Sequence, residues 1–198
     1  MNYLAHLYLA DSDPDALVGS LMGDFVKGAI DATRLPGSPA LARAIVQHRH
    51  IDSFTDAHAV VQRSKQRIRP PYRRYAGILV DVFYDHYLAI TWQRYSDVEL
   101  AAFAQSVYRV MMARLDTLPP RMQRSMRYMI RADLLVSYRD IDGVGRALLG
   151  IESRLSRPSG LSAAISELKD NYAELASDFD AFFPQLREYV ERQAPGVD

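Results

Sequence analysis

Residues 75–92 read YAGILVDVFYDHYLAITW, a stretch that is apolar almost throughout. An apolar run of this length predicts a buried helix. Three ionisable residues interrupt it, namely Asp81, Asp85 and His86. At about 100° per residue, the two aspartates lie about 40° apart on one face, and His86 lies about 100° further round.

A carboxylate buried in such a helix costs several kcal/mol unless it is paired or binds a metal ion. One interpretation is that each acid pairs with one of the many arginines. The other is that Asp81, Asp85 and His86 mark a functional site. Two acids and a histidine on one buried helix favour the second interpretation.

Proline and capping signatures predict further helices along the chain. Their predicted spans are 13–30, 38–50, 96–115, 121–138, 162–182 and 184–193. No segment alternates apolar and polar residues for long, so strands are not expected. We therefore predict an all-α fold of about seven to nine helices, in a single compact domain that spans residues 1–198.

The composition excludes several kinds of site. The 198 residues include no cysteine, which excludes disulfides, thiolate metal ligands and a cysteine nucleophile. The chain has no run of about 18 apolar residues and its first residues do not resemble a signal peptide, so we expect a cytoplasmic protein without a membrane span. The formal net charge of zero argues against a general nucleic-acid binder.

A second candidate cluster is the stretch HRHIDSFTD at residues 48–56. His48 and Asp52 are four residues apart and face the same way if the helix continues through Asp52. An imidazole and a carboxylate at that spacing can bind one divalent cation, with the oxygen favouring Mg²⁺ or Mn²⁺ and the nitrogen favouring Mn²⁺, Fe²⁺ or Zn²⁺. His50 points about 200° away from His48 and is expected outside the ligand set.

A third candidate cluster combines His6 with Asp24, which lies within the apolar stretch LMGDFV at residues 21–26. Asp24 either faces inward or pairs with Lys27, three residues further on. A single histidine such as His6 in an apolar stretch is more often a core residue than a ligand. Helical clusters of histidine and aspartate without cysteine nevertheless suggest metal-assisted phosphoester hydrolysis. Signatures of a serine nucleophile and of a phosphate-binding loop are missing from the sequence.

Five segments of the chain resemble, in order and spacing, the bacterial acyl carrier protein phosphodiesterase family, also called acyl carrier protein hydrolase. The segments are NYLAHL at 2–7, LMGDFVKG at 21–28, HRHIDSFTD at 48–56, RYAG at 74–77 and DVFYDHYL at 81–88. The resemblance implies a divergent HD-type metal-dependent phosphohydrolase that removes 4′-phosphopantetheine from holo-acyl carrier protein. It also implies a divalent cation, with Mn²⁺ expected first and Mg²⁺, Fe²⁺ or Co²⁺ as alternatives.

The resemblance also suggests roles for individual residues. The expected metal ligands and metal-orienting groups are Asp24, His48, Asp81, Asp85 and His86. Asp52 either ligates the ion or fixes His48. Lys27 and Arg49 are expected to clamp the phosphate, and His6 either hydrogen-bonds an inner ligand or assists proton transfer. The adjacent His-Asp pair of HD enzymes is missing, because Asp85-His86 is reversed and four residues separate His48 from Asp52. The exact ligand set therefore stays open.

The neutral net charge hides an uneven distribution. Residues 57–80 contain six basic residues and no acid, residues 117–132 contain four arginines and no acid, and the segment from Leu161 onward has eight acids against three basic residues. The four arginines are Arg121, Arg124, Arg127 and Arg131, whose spacing predicts one helical stripe. Acyl carrier proteins are strongly acidic, so we expect the holo form to dock on basic patches around Arg63–Arg74 and Arg121–Arg131.

Three other functions are weighed against this one. An HD-type phosphohydrolase acting on a nucleotide or another small phosphoester would keep the metal site without the protein partner. A helical binding module without catalysis would pair its acids with arginines. Nucleic acid would also suit the basic runs, although the expected partners include neither nucleic acid nor a membrane.

Overall fold

A computed structural model describes residues 1–28, 38–155 and 159–193. Within these ranges the chain forms eleven α-helices, linked by loops and short 3-10 turns, and no strand. The predicted all-α fold is confirmed. The helices are α1 (Tyr3–Tyr8), α2 (Pro14–Met22), α3 (Pro39–Ala57), α4 (Ala59–Arg67), α5 (Ala76–Ile90), α6 (Leu100–Arg114), α7 (Pro120–Arg131), α8 (Leu134–Ser137), α9 (Ile141–Glu152), α10 (Ile165–Asp170) and α11 (Tyr172–Gln193).

The predicted buried helix is α5, and it is the centre of the fold. It packs against α1, α4, α9 and α11. Leu79, Phe83 and Leu88 are fully buried, and burial of a side chain of this size contributes roughly 1.5–3 kcal/mol. One continuous apolar core extends from Met1 to Leu186. The position of α5 in this core explains why its ionisable residues need partners.

Helices α2 and α3 lie unusually close together. Asp13 caps α2, because its carboxylate accepts hydrogen bonds from the backbone N–H groups of Asp15 and Ala16 at 2.8 and 3.2 Å. At Gly19 a Cβ atom would overlap the carbonyl group of Leu41, so only glycine permits this approach. The close packing brings the C-terminal end of α2 against the middle of α3.

Two helix boundaries near the candidate clusters differ from the prediction. Helix α3 continues to Ala57, past the predicted end at residue 50, and therefore carries both His48 and Asp52. Helix α2 ends at Met22, and the last residues of the predicted span 13–30 lie outside the described ranges. Among the described residues, no helix has the length and apolar character needed to cross a membrane.

Three other boundaries were predicted wrongly. Helix α6 begins at Leu100 rather than at residue 96, because the Ser96 hydroxyl exchanges hydrogen bonds with the backbone of Val98 and forms a local turn. The predicted span 121–138 is interrupted at Asp133, whose φ is 44°. Helix α11 runs through Pro184. The proline ring is exposed, and neighbouring side chains before and after it stay buried in the core. Helices α1, α4 and α9 were not predicted.

Candidate active site

Helices α1 and α3 bring three predicted residues together. His48 and Asp52 face one way on α3, and His6 reaches them from α1. The Asp52 carboxylate lies between the two histidines, with Oδ1 3.1 Å from His6 Nε2 and Oδ2 3.1 Å from His48 Nε2. The two imidazole rings stack with centroids 3.9 Å apart and planes 18° from parallel. Both histidines are buried, whereas the Asp52 side chain is 40% exposed.

The end of α2 fixes the orientation of the His48 ring. The His48 Nδ1–H group donates a 2.7 Å hydrogen bond to the carbonyl oxygen of Ser20. Since a carbonyl only accepts, this contact sets which ring nitrogen faces the carboxylates. A Cβ atom at Gly23 would overlap the His48 ring, so glycine is needed beside it. Sequence analysis missed both Ser20 and Gly23; the glycine directly before Asp24 was the available signal.

Asp24 follows Gly23 and lies at the open side of the cluster. Its Oδ1 atom is 3.4 Å from His48 Nε2, and its side chain is 52% exposed. Burial alone would lower the pKa of His48, but hydrogen bonds to Asp24 and Asp52 outweigh burial and raise that pKa to about 9. The same contacts from His48 and His6 hold the pKa of Asp52 far below its ordinary value, although burial acts in the opposite direction.

Asp81 on α5 joins the edge of this cluster. Its Oδ1 atom lies 3.0 Å from the α-amino nitrogen of Met1, which is itself 3.6 Å from Asp52 Oδ1. The α-amino group of Met1 therefore lies between the carboxylates of α3 and α5, and its positive charge offsets part of their negative charge.

The structure places Asp85 beneath the cluster rather than in it. Asp85 is fully buried, and its two carboxylate oxygens accept hydrogen bonds from the backbone N–H groups of Leu4 at 2.7 Å and Ala5 at 3.1 Å. Burial raises the pKa of Asp85 to about 7, against the lowering effect of these N–H groups. Asp85 thus holds the start of α1 and indirectly positions His6.

The structure also places His86 away from the cluster. Its Nδ1–H group donates to the carbonyl oxygen of Tyr138 at 2.7 Å, and its Nε2 atom accepts from the hydroxyl group of Tyr172 at 2.9 Å. Burial lowers the pKa of His86, which favours the neutral ring that this arrangement requires. The rotation of about 100° from Asp85 along the helix accounts for this separate environment.

Arg49 binds the turn that follows α2, and Lys27 lies on that turn. The Arg49 guanidinium donates to the carbonyl oxygens of Val26 at 2.9 Å and Gly28 at 2.7 Å. These contacts fix the turn that carries Asp24. Lys27 is exposed on the same turn. His50 is exposed as well, in agreement with its expected position outside the ligand set.

The donor atoms fit a divalent metal ion. His6, His48 and Asp52 each offer one ligand atom, and these atoms lie within 4.8 Å of one another. His6 Nδ1 is buried and has no hydrogen-bond partner among the described residues, so only Nε2 links this ring to the cluster. Imidazole nitrogens with carboxylate oxygens suit Mn²⁺, Fe²⁺, Co²⁺ or Zn²⁺. The cluster can therefore hold a divalent ion.

The chain is similar over nearly its whole length to proteins of one family. A family model described as "Acyl carrier protein phosphodiesterase" matches residues 1–186. A protein of that name from Serratia proteamaculans (strain 568) is 33% identical over 192 residues, which cover 96% of this chain and 98% of the relative. Another from Klebsiella pneumoniae subsp. pneumoniae is 35% identical over 195 residues, which cover 98% of this chain and 99% of the relative. No solved structure shows a significant match. The chain belongs to the acyl carrier protein phosphodiesterase family.

Proposed function

We propose that this protein hydrolyses the phosphodiester that joins 4′-phosphopantetheine to a serine of holo-acyl carrier protein, and so releases the apo form. The observation that carries the proposal is the cluster of His6, His48 and Asp52, because metal-assisted phosphoester hydrolysis needs such a donor set. The names of the full-length relatives support the choice of substrate. The reaction is proposed to take place in the cytoplasm.

His6, His48 and Asp52 are the proposed holders of the metal ion, with Asp24 and Asp81 beside them. The ion is proposed to be Mn²⁺, with Mg²⁺, Fe²⁺ and Co²⁺ as the alternatives to test. A bound ion of this kind lowers the pKa of a coordinated water and offsets negative charge on the phosphate.

The protein's own residues orient this site. Ser20 keeps the Nε2 atom of His48 directed at the carboxylates, and the Asp52 carboxylate keeps the Nε2 atom of His6 within the cluster. Lys27 is exposed on the turn that carries Asp24, so its ammonium group can pair with a substrate phosphate. Arg49 is proposed to position this turn rather than to clamp phosphate, because its guanidinium already binds two carbonyl groups.

Asp85 and His86 receive different roles from those that the resemblance suggested. Both oxygens of Asp85 bind backbone N–H groups of α1, and both ring nitrogens of His86 bind tyrosine residues. We therefore propose Asp85 as a positioning residue for α1 and His86 as a structural residue. Neither is retained as a metal ligand.

Helix α7 is the proposed main docking surface for the carrier protein. Its four arginines, Arg121, Arg124, Arg127 and Arg131, are exposed. The opposite face of the helix buries Met122, Met126 and Met129. Among the described residues, the stripe makes one ion pair, between Arg127 and Asp116 at 4.0 Å. Such an open basic stripe suits steering of an acidic partner, and we propose neither nucleic acid nor a membrane as a partner.

The other basic segment supports docking less well. Arg63 and Arg67 pair with Asp178, and Lys65 pairs with Asp56 at 2.7 Å. Arg69 also binds two acids, Glu167 and Asp170. Of the proposed patch at residues 63–74, only Arg73 and Arg74 form no ion pair among the described residues, so we restrict its docking role to these two.

Intact-mass measurement tests the proposed function. The protein is incubated with holo-acyl carrier protein and Mn²⁺, and the carrier should lose the mass of one phosphopantetheine group. Chelation of the metal should stop the reaction, and Co²⁺, Fe²⁺ and Mg²⁺ are compared in parallel. An unchanged carrier together with hydrolysis of a nucleotide or another small phosphoester would favour the smaller substrate. An unchanged carrier and no bound divalent ion would favour a binding module.

A further inference from the structure

A cavity of about 330 Å³ lies between α4 and the start of α5. Its lining residues are Lys65, Gln66, Arg73, Ala76 and Gly77. The volume is at the lower end of the range for pockets that bind small molecules. No acidic residue lines it, so the cavity differs in character from the carboxylate-rich cluster nearby.

The start of α5 lines the cavity, and the next turn of α5 carries Asp81 at the edge of the cluster. On α5, Gly77 precedes Asp81 by four residues, a rise of about 6 Å. On α3, Asp56 follows Asp52 by four residues, and its carboxylate binds the Lys65 ammonium group at the cavity wall. The cavity therefore begins about one helical turn from the cluster.

The boundary between the cluster and the cavity faces solvent. The Asp81 side chain is 31% exposed and the Asp52 side chain is 40% exposed. Gly77 and Asp81 lie on one face of α5, so this face leads from the edge of the cluster to the cavity. Gly77 has no side chain that would obstruct it.

The walls of the cavity combine apolar and hydrogen-bonding groups. A Cβ atom added at Gly77 would lie 3.8 Å from Lys65 Cε, so the methylene chain of the lysine forms one wall at ordinary contact distance. Asp56 holds the ammonium group of that lysine. The Gln66 amide and the Arg73 guanidinium supply hydrogen-bond donors, whereas Ala76 contributes only a methyl group to the remaining wall.

We propose that this cavity receives the pantetheine arm of the substrate, an inference that rests on the proposed function. The arm is a slender chain with two amide groups, so it needs hydrogen-bond donors and contacts for its carbon atoms. Gln66 and Arg73 bind its amide carbonyl oxygens, and the lysine stem contacts its methylene groups. Gly77 is the specificity-determining residue, because any larger side chain there fills the path of the arm.

The variant Gly77→Leu tests this inference. Leucine favours a helix more than glycine does, and an added Cβ atom there lies at ordinary contact distance from Lys65 Cε, so the fold is expected to persist. The kcat/KM for holo-acyl carrier protein should fall at least about tenfold, whereas the melting temperature should not fall. The matched control is Gly145→Leu in α9, another helical glycine, where an added Cβ atom meets nothing within 4 Å. This control should keep the wild-type kcat/KM.

Substrates of different length separate the cavity from the cluster. A carrier whose arm is truncated before the second amide should show a much smaller penalty in Gly77→Leu, and bis(4-nitrophenyl) phosphate should show none. A wild-type kcat/KM of Gly77→Leu on holo-acyl carrier protein would overturn the inference, as would an equal loss on all three substrates. Failure of the wild-type protein to cleave holo-acyl carrier protein would instead overturn the proposed function, and this inference with it.

Discussion

Two carboxylates, Asp52 and Asp178, each contact two basic side chains and join separate helices. Asp52 binds His48 on its own helix α3 and links α3 to α1 through His6. Asp178 links α11 to α4 through Arg63 and Arg67, and it also accepts a 2.8 Å hydrogen bond from the Ser64 hydroxyl. Hydrogen bonds lower the pKa of both carboxylates, although burial alone would raise it. The geometry is similar, but the basic groups are chemically different.

A guanidinium group is always charged and has no free lone pair, so Asp178 and its arginines form a permanent structural link. An imidazole can lose a proton and present a nitrogen lone pair to a metal ion. The cluster around Asp52 can therefore take part in proton and metal chemistry, whereas the cluster around Asp178 can only stabilise the fold. The comparison predicts opposite results for matched substitutions.

Asp52→Asn should have the largest effect on catalysis. The neutral amide has no negative charge to share between the two histidines, so the site loses a proposed metal ligand and the charge that holds His6. We expect turnover of holo-acyl carrier protein to fall at least about 100-fold, with a melting temperature close to wild type. Intact-mass kinetics and thermal unfolding measure the two quantities. The exposed neighbour Ser53 supplies the control, Ser53→Ala, and wild-type turnover of Asp52→Asn would contradict the assignment.

Gly23→Ala should reduce activity by a smaller factor, about tenfold to a hundredfold. The added methyl group overlaps the His48 ring and displaces it from its contact with Ser20. Titration of the protein with Mn²⁺ should show weaker binding in this variant. Gly145→Ala is the matched control, because an added methyl group there meets nothing within 4 Å. Unchanged Mn²⁺ affinity in Gly23→Ala would mean that the ring orientation is unimportant.

Asp178→Asn should have the opposite profile to Asp52→Asn. It removes the negative charge that two arginines and a serine share, and we expect the free energy of unfolding to fall by about 2 kcal/mol. Urea denaturation measures this loss, and turnover per folded molecule should stay at the wild-type value. A large loss of turnover with unchanged stability would reverse the roles of the two carboxylates.

The same variant tests the expected pH dependence of stability, because it lacks the carboxyl group that titrates. The pKa of Asp178 lies below its ordinary value of 3.8 in the folded protein. Its contribution to stability is therefore complete above pH 3.8 and is lost as the pH falls through the lowered pKa. Stability of the wild-type protein should decrease in this acidic range more steeply than that of Asp178→Asn. An equal loss of stability with falling pH in the two proteins would argue against this contribution.

Charge reversal on α7 should have the smallest effect. With Arg124→Glu and Arg127→Glu combined, KM for holo-acyl carrier protein should rise about fivefold and become less sensitive to salt, without a change in kcat. A small phosphodiester should be hydrolysed as by the wild type, since it needs no docking surface. The variant Arg67→Glu serves as the comparison. It should be less stable than the wild type, because it loses the contact with Asp178. An equal change of KM for both substrates would exclude a docking role of α7.

Local spacing predicted the part of the site that lies on one helix. His48 and Asp52 share a face because they are four residues apart, and Asp81 and Asp85 do so for the same reason. Spacing could not predict what each face meets. Asp81 and Asp85 both approach α1, yet one meets an amino group at the cluster and the other meets backbone N–H groups, because this depends on where a distant segment packs.

The fold followed the apolar pattern better than the local capping signals. The buried helix at 75–92 was predicted nearly to its ends, because burial of one long apolar segment decides it. The capping signal at Ser96 failed since the same hydroxyl group satisfies a nearby backbone group in a turn. Pro184 failed as a helix stop because Phe183 and Leu186 remain in the core when the helix continues.

The carboxylate of Asp85 also sets when the cation site can form during synthesis. Helix α1 has six residues, far fewer than the roughly 12 that an isolated helix needs, and the residue that holds its start is 81 positions later in the chain. On a translating ribosome, His6 therefore meets Asp52 in its final geometry only after α5 has left the exit tunnel. The contact between His6 and Asp52 therefore waits for a helix that is synthesised well after both residues.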